Sequence, residues 1–140
     1  MKSIHLLPIT FILSLLILPL VGCGSNMIGP VEGRVEFSDG SPVTSGSIEF
    51  RNRSTGSRFN SRISAEGLFA PESSEGDLGL PPGTYEIVVV QIVLTEDLAI
   101  EDHLHGNTVP RRYADYYTSD LEVTVGEGER EPFTVVIDIQ

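Results

Sequence analysis

Two histidines separated by one residue, His103 and His105, have the side-chain chemistry of metal ligands. Acidic residues surround them, at Glu96, Asp97, Glu101 and Asp102. Neutral imidazole and carboxylate suit zinc, copper or nickel, and residues two positions apart on an extended segment share a face. The spacing locates no third ligand. The alternatives are therefore a metal site at His103 and His105 or a solvated acidic loop, of which we favour the loop, and we predict no bound cofactor.

A second group of residues is basic. Four arginines lie in one predicted hairpin, where no acidic residue occurs between positions 52 and 65: Arg51, Arg53, Arg58 and Arg62. Guanidinium groups bind phosphates and carboxylates through paired hydrogen bonds, so this patch could meet anionic lipid or an anionic wall polymer. The alternative is that these arginines pair with glutamates across the strands, at about 0.2–1 kcal/mol each. We favour the pairing.

Three tyrosines near the end of the chain, Tyr113, Tyr116 and Tyr117, form the third candidate site. Exposed aromatic rings can stack on sugars, as in sandwich proteins that bind carbohydrate. Tyrosine is more often half-buried, with its hydroxyl at the rim of the core. Packing is the favoured interpretation, and glycan or wall-polymer binding stays as the alternative.

The sequence offers little for catalysis. No serine lies in a nucleophile-elbow pattern, and the acidic residues are dispersed without an apolar setting that would raise a carboxyl pKa. The one cysteine, Cys23, cannot form a disulfide within the chain. We predict a protein that is not an enzyme and has no catalytic residues.

Cys23 follows a leader with the pattern of a secretory signal peptide. Lys2 is followed by an almost wholly apolar run over residues 4–18, and Leu20-Val21-Gly22-Cys23 then resembles the lipobox of bacterial lipoproteins. The resemblance implies cleavage before Cys23 and acylation of its sulfur and of the new N-terminus. Two or three acyl chains would make the attachment effectively permanent.

The residue after the cysteine and the net charge bear on location and partners. Gly24 is not the aspartate that marks inner-membrane retention in the best-studied envelopes, so it favours the outer membrane over the cell membrane. The formal charge of −11 repels nucleic acid. We therefore predict a membrane partner through the lipid anchor, other envelope proteins or glycans as further partners, and no nucleic acid.

The rest of the chain alternates apolar and polar residues with the period of β-strands. Seven strands are predicted, over residues 31–37, 47–53, 58–64, 68–70, 84–94, 121–125 and 133–139. No segment has the pattern of an amphipathic helix. Residues 71–79 are predicted to form a loose polar connection, and residues 95–120 a long irregular connection. The pattern predicts an all-β, antiparallel sandwich.

Several turn and strand motifs are similar to those of carboxypeptidase regulatory-like domains. They are Gly40-Ser-Pro42-Val43, Gly46-Ser-Ile48-Glu-Phe50, Gly67-Leu-Phe69 and Leu80-Pro-Pro-Gly-Thr-Tyr85. The segments Pro110-Arg-Arg-Tyr113 and Thr118-Ser-Asp-Leu121 resemble a subset that occurs on short bacterial lipoproteins. This resemblance implies a transthyretin-like, seven-stranded Greek-key sandwich that accompanies enzymes without performing chemistry. The Tyr-Arg-Gly-Ser type of tail found in a catalytic transthyretin-like branch is not present at the C-terminus.

These features together predict three parts: a signal peptide over residues 1–22, a lipidated cysteine and short tether over 23–29, and a sandwich domain over 30–140. The predicted protein is a membrane-anchored module of the cell envelope with a structural or interaction role. The alternatives are a periplasmic metal-binding protein and a glycan-binding module.

Overall fold

A computed structural model describes residues 28–91 and 106–140 of the chain. In these residues the protein is all-β, with two sheets and one short 3₁₀ helix, Arg111–Ala114. The strands are β1 (Gly33–Phe37), β2 (Ser47–Asn52), β3 (Arg58–Arg62), β4 (Leu68–Phe69), β5 (Glu72–Ser73), β6 (Gly83–Val90), β7 (Glu122–Val125) and β8 (Phe133–Ile137).

The two sheets have the orders β4-β1-β8 and β5-β3-β2-β6-β7. Six of the seven predicted strands match within three residues at each end; β6, predicted to run to residue 94, ends at Val90. The extra strand, β5, lies in the stretch predicted to be a loose connection and pairs with Phe59 and Asn60 of β3. Two residues are too few to show a period of two, so periodicity could not predict this strand.

One strand pair differs from the predicted antiparallel arrangement. β1 and β8 pair in parallel, in a register that runs from Gly33 opposite Phe133 to Phe37 opposite Ile137. All other strand pairs among the described residues are antiparallel. The prediction rested on a count of alternating strands without an amphipathic helix, and alternation within a strand does not show the direction of the strand beside it.

The core lies between the sheets. Alternate residues of each strand face it, as the sequence predicted: Val35 and Phe37 in β1, Ile48 and Phe50 in β2, Tyr85, Ile87 and Val89 in β6, and Val135 and Ile137 in β8. The rings of Phe50, Phe69 and Phe133 pack together, with centroids 5.4–5.9 Å apart. Packing of alternating apolar faces from two sheets is the main source of stability in such a fold.

The two ends of the sandwich differ in which segments of the chain lie there. Ile28, at the start of the described chain, donates a backbone hydrogen bond to Leu78, and Leu80 donates one to Pro30. These contacts lie at the end where β6 begins, and Gly83 of β6 pairs there with Val125 of β7. We call this the entry end. The opposite end, where β6 finishes beside Ser47, is the far end.

Candidate functional site

The outer face of the five-stranded sheet carries the side chains that alternate with the core residues. Glu49 and Arg51 of β2 point away from the core, because Ile48, Phe50 and Asn52 are buried. Arg58 of β3 does the same on the neighbouring strand. The register of the sheet therefore collects charged side chains from these two strands on one surface.

Three of the four candidate arginines have carboxylate partners on this surface. Arg51 lies directly opposite Glu86, and its Nε and Nη2 donate to Glu86 Oε2 at 3.0 and 2.6 Å. Arg53 Nη1 donates to Glu122 Oε2 at 2.6 Å. Arg58 Nη1 donates to Glu49 Oε1 at 2.9 Å. The local charge of the hairpin is thus balanced by glutamates on the neighbouring strands.

Arg62 lies apart from the other three. It is exposed near the far end of the sheet, opposite Ser47, and no carboxylate of the described residues pairs with it. Arg62 is therefore separated from the cluster that Arg51 and Arg58 form with the tyrosines.

Tyr116 lies across this arginine–glutamate network. Its ring covers the guanidinium of Arg51, 3.9 Å from the ring centroid, and its hydroxyl donates to Glu49 Oε1 at 2.8 Å. Burial, and then the hydrogen bond to Glu49, raise the pKa of Tyr116 well above its usual range. The phenol therefore stays protonated and acts as a hydrogen-bond donor at neutral pH.

Tyr117 has the opposite environment. Its side chain is 98% exposed, although its backbone N–H donates to Asp115 Oδ1 at 2.7 Å. The backbone N–H of Ser119 donates to the Asp115 carbonyl at 2.8 Å, which closes the turn around it. The turn thus holds the backbone of Tyr117 and presents its ring to solvent.

Tyr113 does not belong to this surface. It is buried in the core cluster, with its ring stacked against the Arg112 guanidinium at 4.5 Å. Arg112 also donates to the carbonyls of Asp138 and Gln140 at 2.7 and 2.8 Å. Tyr113 therefore packs the 3₁₀ helix against the end of β8 and offers no exposed ring.

A groove of about 450 Å³ lies where the tyrosine turn meets the sheet. It is lined by polar side chains of β2, β3 and the turn, and by two valines of β6: Ser47, Glu49, Arg51, Arg58, Val88, Val90, Ala114, Asp115, Tyr116 and Tyr117. We call these residues the tyrosine groove. It combines an apolar floor, two carboxylates, two guanidinium groups and an exposed ring, which is the make-up of a site for a polar organic ligand.

The remaining candidate residues fall outside the part of the chain that the structure describes. They are Cys23, His103 and His105. Within residues 28–91 and 106–140, no group of three histidine, cysteine or acidic side chains could hold a metal ion. The same residues contain no helix both long and apolar enough to cross a membrane.

Sequence reasoning missed three residues that shape the groove: Glu49, Val88 and Asp115. The strand register would have identified Glu49, since it shares a face with Arg51. Val88 could be predicted in part, because the sequence of β6 is apolar on both faces. Such a strand is normally packed against other residues on both faces. Only the folded structure shows that the turn over residues 114–117 lines the groove together with Val88.

Fold and site together define a two-sheet, all-β protein with a polar surface groove beside an exposed tyrosine. Comparison of the chain with protein-family models, with curated proteins and with solved structures finds no match.

Proposed function

We propose that this protein is a lipid-anchored module of the cell envelope, in which a non-catalytic sandwich presents the tyrosine groove to a partner. The observation that carries the proposal is the position of the groove. It opens on the outer face of the sheet around Ser47 and Val90, toward the far end, whereas Ile28 and Gly29 lie at the entry end.

The proposed anchor, Cys23, precedes Ile28 by five residues, which span at most about 18 Å when fully extended. An acylated Cys23 would therefore hold the entry end near the bilayer. The groove would then lie farther from the lipid than the entry end does, on the side of the sandwich, where an envelope partner can approach it. The same arrangement suits either the cell membrane or the outer membrane.

The proposal includes membership of the carboxypeptidase regulatory-like class, with a Greek-key sandwich of seven main strands. Two features support it. Consecutive strands change sheet at β1 to β2, at β3 to β4, at β4 to β5 and at β7 to β8, as Greek-key connections do. The glycines of three quoted motifs, Gly40, Gly46 and Gly67, have positive φ in the connections between strands.

A non-catalytic role is supported by the state of the groove's side chains. Arg51 is held by Glu86, Arg58 by Glu49, and the Tyr116 phenol by the same Glu49. The raised pKa of Tyr116 suits a donor at neutral pH and makes its hydroxyl a poor general base. Such a network favours recognition of a ligand over proton transfer.

The anchor is tested by metabolic labelling with palmitate in a bacterial host, comparing the wild type with Cys23→Ser. We expect label and membrane association in the wild type, and loss of both in the variant. An unlabelled wild-type chain would contradict the anchor.

The groove is tested with a photoreactive phenylalanine analogue placed at position 117 in the anchored protein. We expect crosslinks to envelope components from position 117. Position 68, an exposed leucine on the other sheet, is the matched control and should give none. Equal crosslinking from both positions would mean that the groove is not an interaction surface.

A further inference from the structure

We propose that the tyrosine groove binds a neutral hexopyranose unit of a saccharide, with the sugar ring stacked on Tyr117 and its hydroxyl groups held by Glu49, Asp115 and Arg58. This inference rests on the proposed function, because it gives the ligand class of the same groove.

Tyr117 supplies the stacking surface. At 98% exposure it is far more open than any other large apolar side chain of the described residues, of which Leu68 is next at 51%. Its backbone is held by Asp115, and Thr118 Oγ1 donates to the Arg112 carbonyl at 2.6 Å, so the turn that carries the ring is fixed by hydrogen bonds. An exposed aromatic face on an ordered turn can accept the C–H face of a sugar at little entropic cost.

The charge balance of the groove favours a neutral ligand over an anion. Its lining holds two carboxylates, Glu49 and Asp115, and two guanidinium groups, Arg51 and Arg58. Both guanidinium groups already donate to glutamates, so an anionic ligand would have to displace a carboxylate from one of them. A sugar hydroxyl both donates and accepts, and can bond to carboxylate and guanidinium without breaking either pair.

The geometry of Glu49 leaves room for such a bond. Arg58 and Tyr116 both donate to its Oε1. A carboxylate accepts through both of its oxygens, so Oε2 of this groove-lining residue remains as an acceptor. Val88 and Val90 supply apolar surface beneath it, which matches a pyranose ring with polar edges and an apolar face.

The number of tyrosines allows a direct test by NMR. The chain has four, and all of them lie in the described residues: Tyr85, Tyr113, Tyr116 and Tyr117. The full-length protein, labelled with ¹³C in its tyrosine rings and held in a detergent without a sugar headgroup, is titrated with neutral oligosaccharides of glucose, N-acetylglucosamine, galactose and mannose. Oligogalacturonate serves as the anionic comparison.

We expect at least one neutral oligosaccharide to shift the Tyr117 and Tyr116 signals, with a dissociation constant of about 0.1–10 mM, and to leave buried Tyr85 and Tyr113 unchanged. Tyr117→Ala should weaken binding about tenfold or more, whereas Tyr117→Phe keeps the ring and should retain it. Leu68→Ala, on the other sheet, is the control and should bind as the wild type does.

Three results would overturn the inference: no response to any of the four neutral sugars, equal binding by Tyr117→Ala and the wild type, or tighter binding of oligogalacturonate. Its failure is distinguishable from that of the proposed function. Crosslinks from position 117 without sugar binding would retain an interaction groove with a different ligand, and loss of palmitate labelling would affect the anchor alone.

Discussion

At the level of single residues, Glu49 connects the most groups in the groove. It accepts hydrogen bonds from Arg58 on the neighbouring strand and from Tyr116 on the turn, and the Tyr116 ring in turn covers Arg51. Removing Glu49 would leave both Arg58 and Tyr116 without this acceptor. We therefore expect substitutions in this network to be non-additive.

The alkaline stability of the protein should depend on Tyr116. Folding raises the pKa of this phenol above the value of about 10 that it has in the unfolded chain. The stability that the protonated phenol contributes is complete below pH of about 10, and is lost as the pH rises through the folded pKa, because the unfolded chain then binds fewer protons. Urea unfolding measured from neutral to strongly alkaline pH should show a steeper loss of unfolding free energy in the wild type than in Tyr116→Phe. Parallel curves would contradict this role for Tyr116.

Gly33 is required by the aromatic cluster. A Cβ at this position would lie 2.4 Å from Cζ of Phe69 and 2.6 Å from the carbonyl oxygen of Phe133. The ring could turn, but the backbone of β8 would have to shift, so Gly33→Ala should lower the unfolding free energy by about 1–3 kcal/mol. Thermal unfolding is the measurement. The matched control is Gly126→Ala, where the nearest atom is a flexible Glu129 oxygen at 3.4 Å, and an equal loss there would show that the packing argument is wrong.

Among the elements, the turn around the 3₁₀ helix connects the core to the groove. Tyr113 faces the core, and three residues later Tyr116 lies on the outer face of the sheet. Ser119 Oγ donates to the carbonyl of Ile87 at 2.6 Å, which ties the following residues to the edge of β6. This short segment thus runs along the part of β6 that β7 does not pair with. It places Tyr113 on the core side of the sheet and Tyr116 on the outer side.

Adjacent arginines in the 3₁₀ helix should differ in their effect on stability. Arg112 donates hydrogen bonds to the carbonyls of Asp138 and Gln140 and to the Tyr113 hydroxyl. Its guanidinium also stacks on the Tyr113 ring. Arg112→Ala should therefore cost about 1–2 kcal/mol and increase amide exchange in β8. Arg111→Ala is the control, because Arg111 is exposed and no described residue bonds to its side chain. Equal destabilisation by the two variants would contradict the proposed docking role of Arg112.

In the molecule as a whole, the described chain begins at the entry end of the sandwich, and the groove lies toward the far end. The β7–β8 loop, with Glu127 and Glu129, lies beside Gly29 at the entry end. An anchor at Cys23 would therefore place this loop closer to the membrane than Tyr117.

This orientation can be measured by energy transfer on vesicles. The lipidated chain is inserted into vesicles that contain a labelled lipid as the acceptor. A donor dye is attached to a cysteine introduced by Glu127→Cys in one protein and by Tyr117→Cys in a second. We expect more efficient transfer from position 127. Equal transfer from both positions would exclude a preferred orientation, and stronger transfer from position 117 would reverse it.

Sequence periodicity determined most of the strands and their core faces, because a strand with one buried face must alternate. The inward set of Val35, Phe37, Ile48 and Phe50 follows from that rule alone. The lipobox-like motif and the His103–His105 pair remain predictions, since they lie outside the described residues.

Only the tertiary structure decided which candidates meet. Local pattern placed Arg51, Arg53, Arg58 and Arg62 together, but strand register gave the first three glutamate partners and left Arg62 at the far end. The three tyrosines looked equivalent in the sequence, yet the turn buries Tyr113, half-buries Tyr116 and exposes Tyr117. Partners distant in the chain, such as Glu49 and Tyr116, are brought together by the free energy of packing the whole sandwich, which no local pattern encodes.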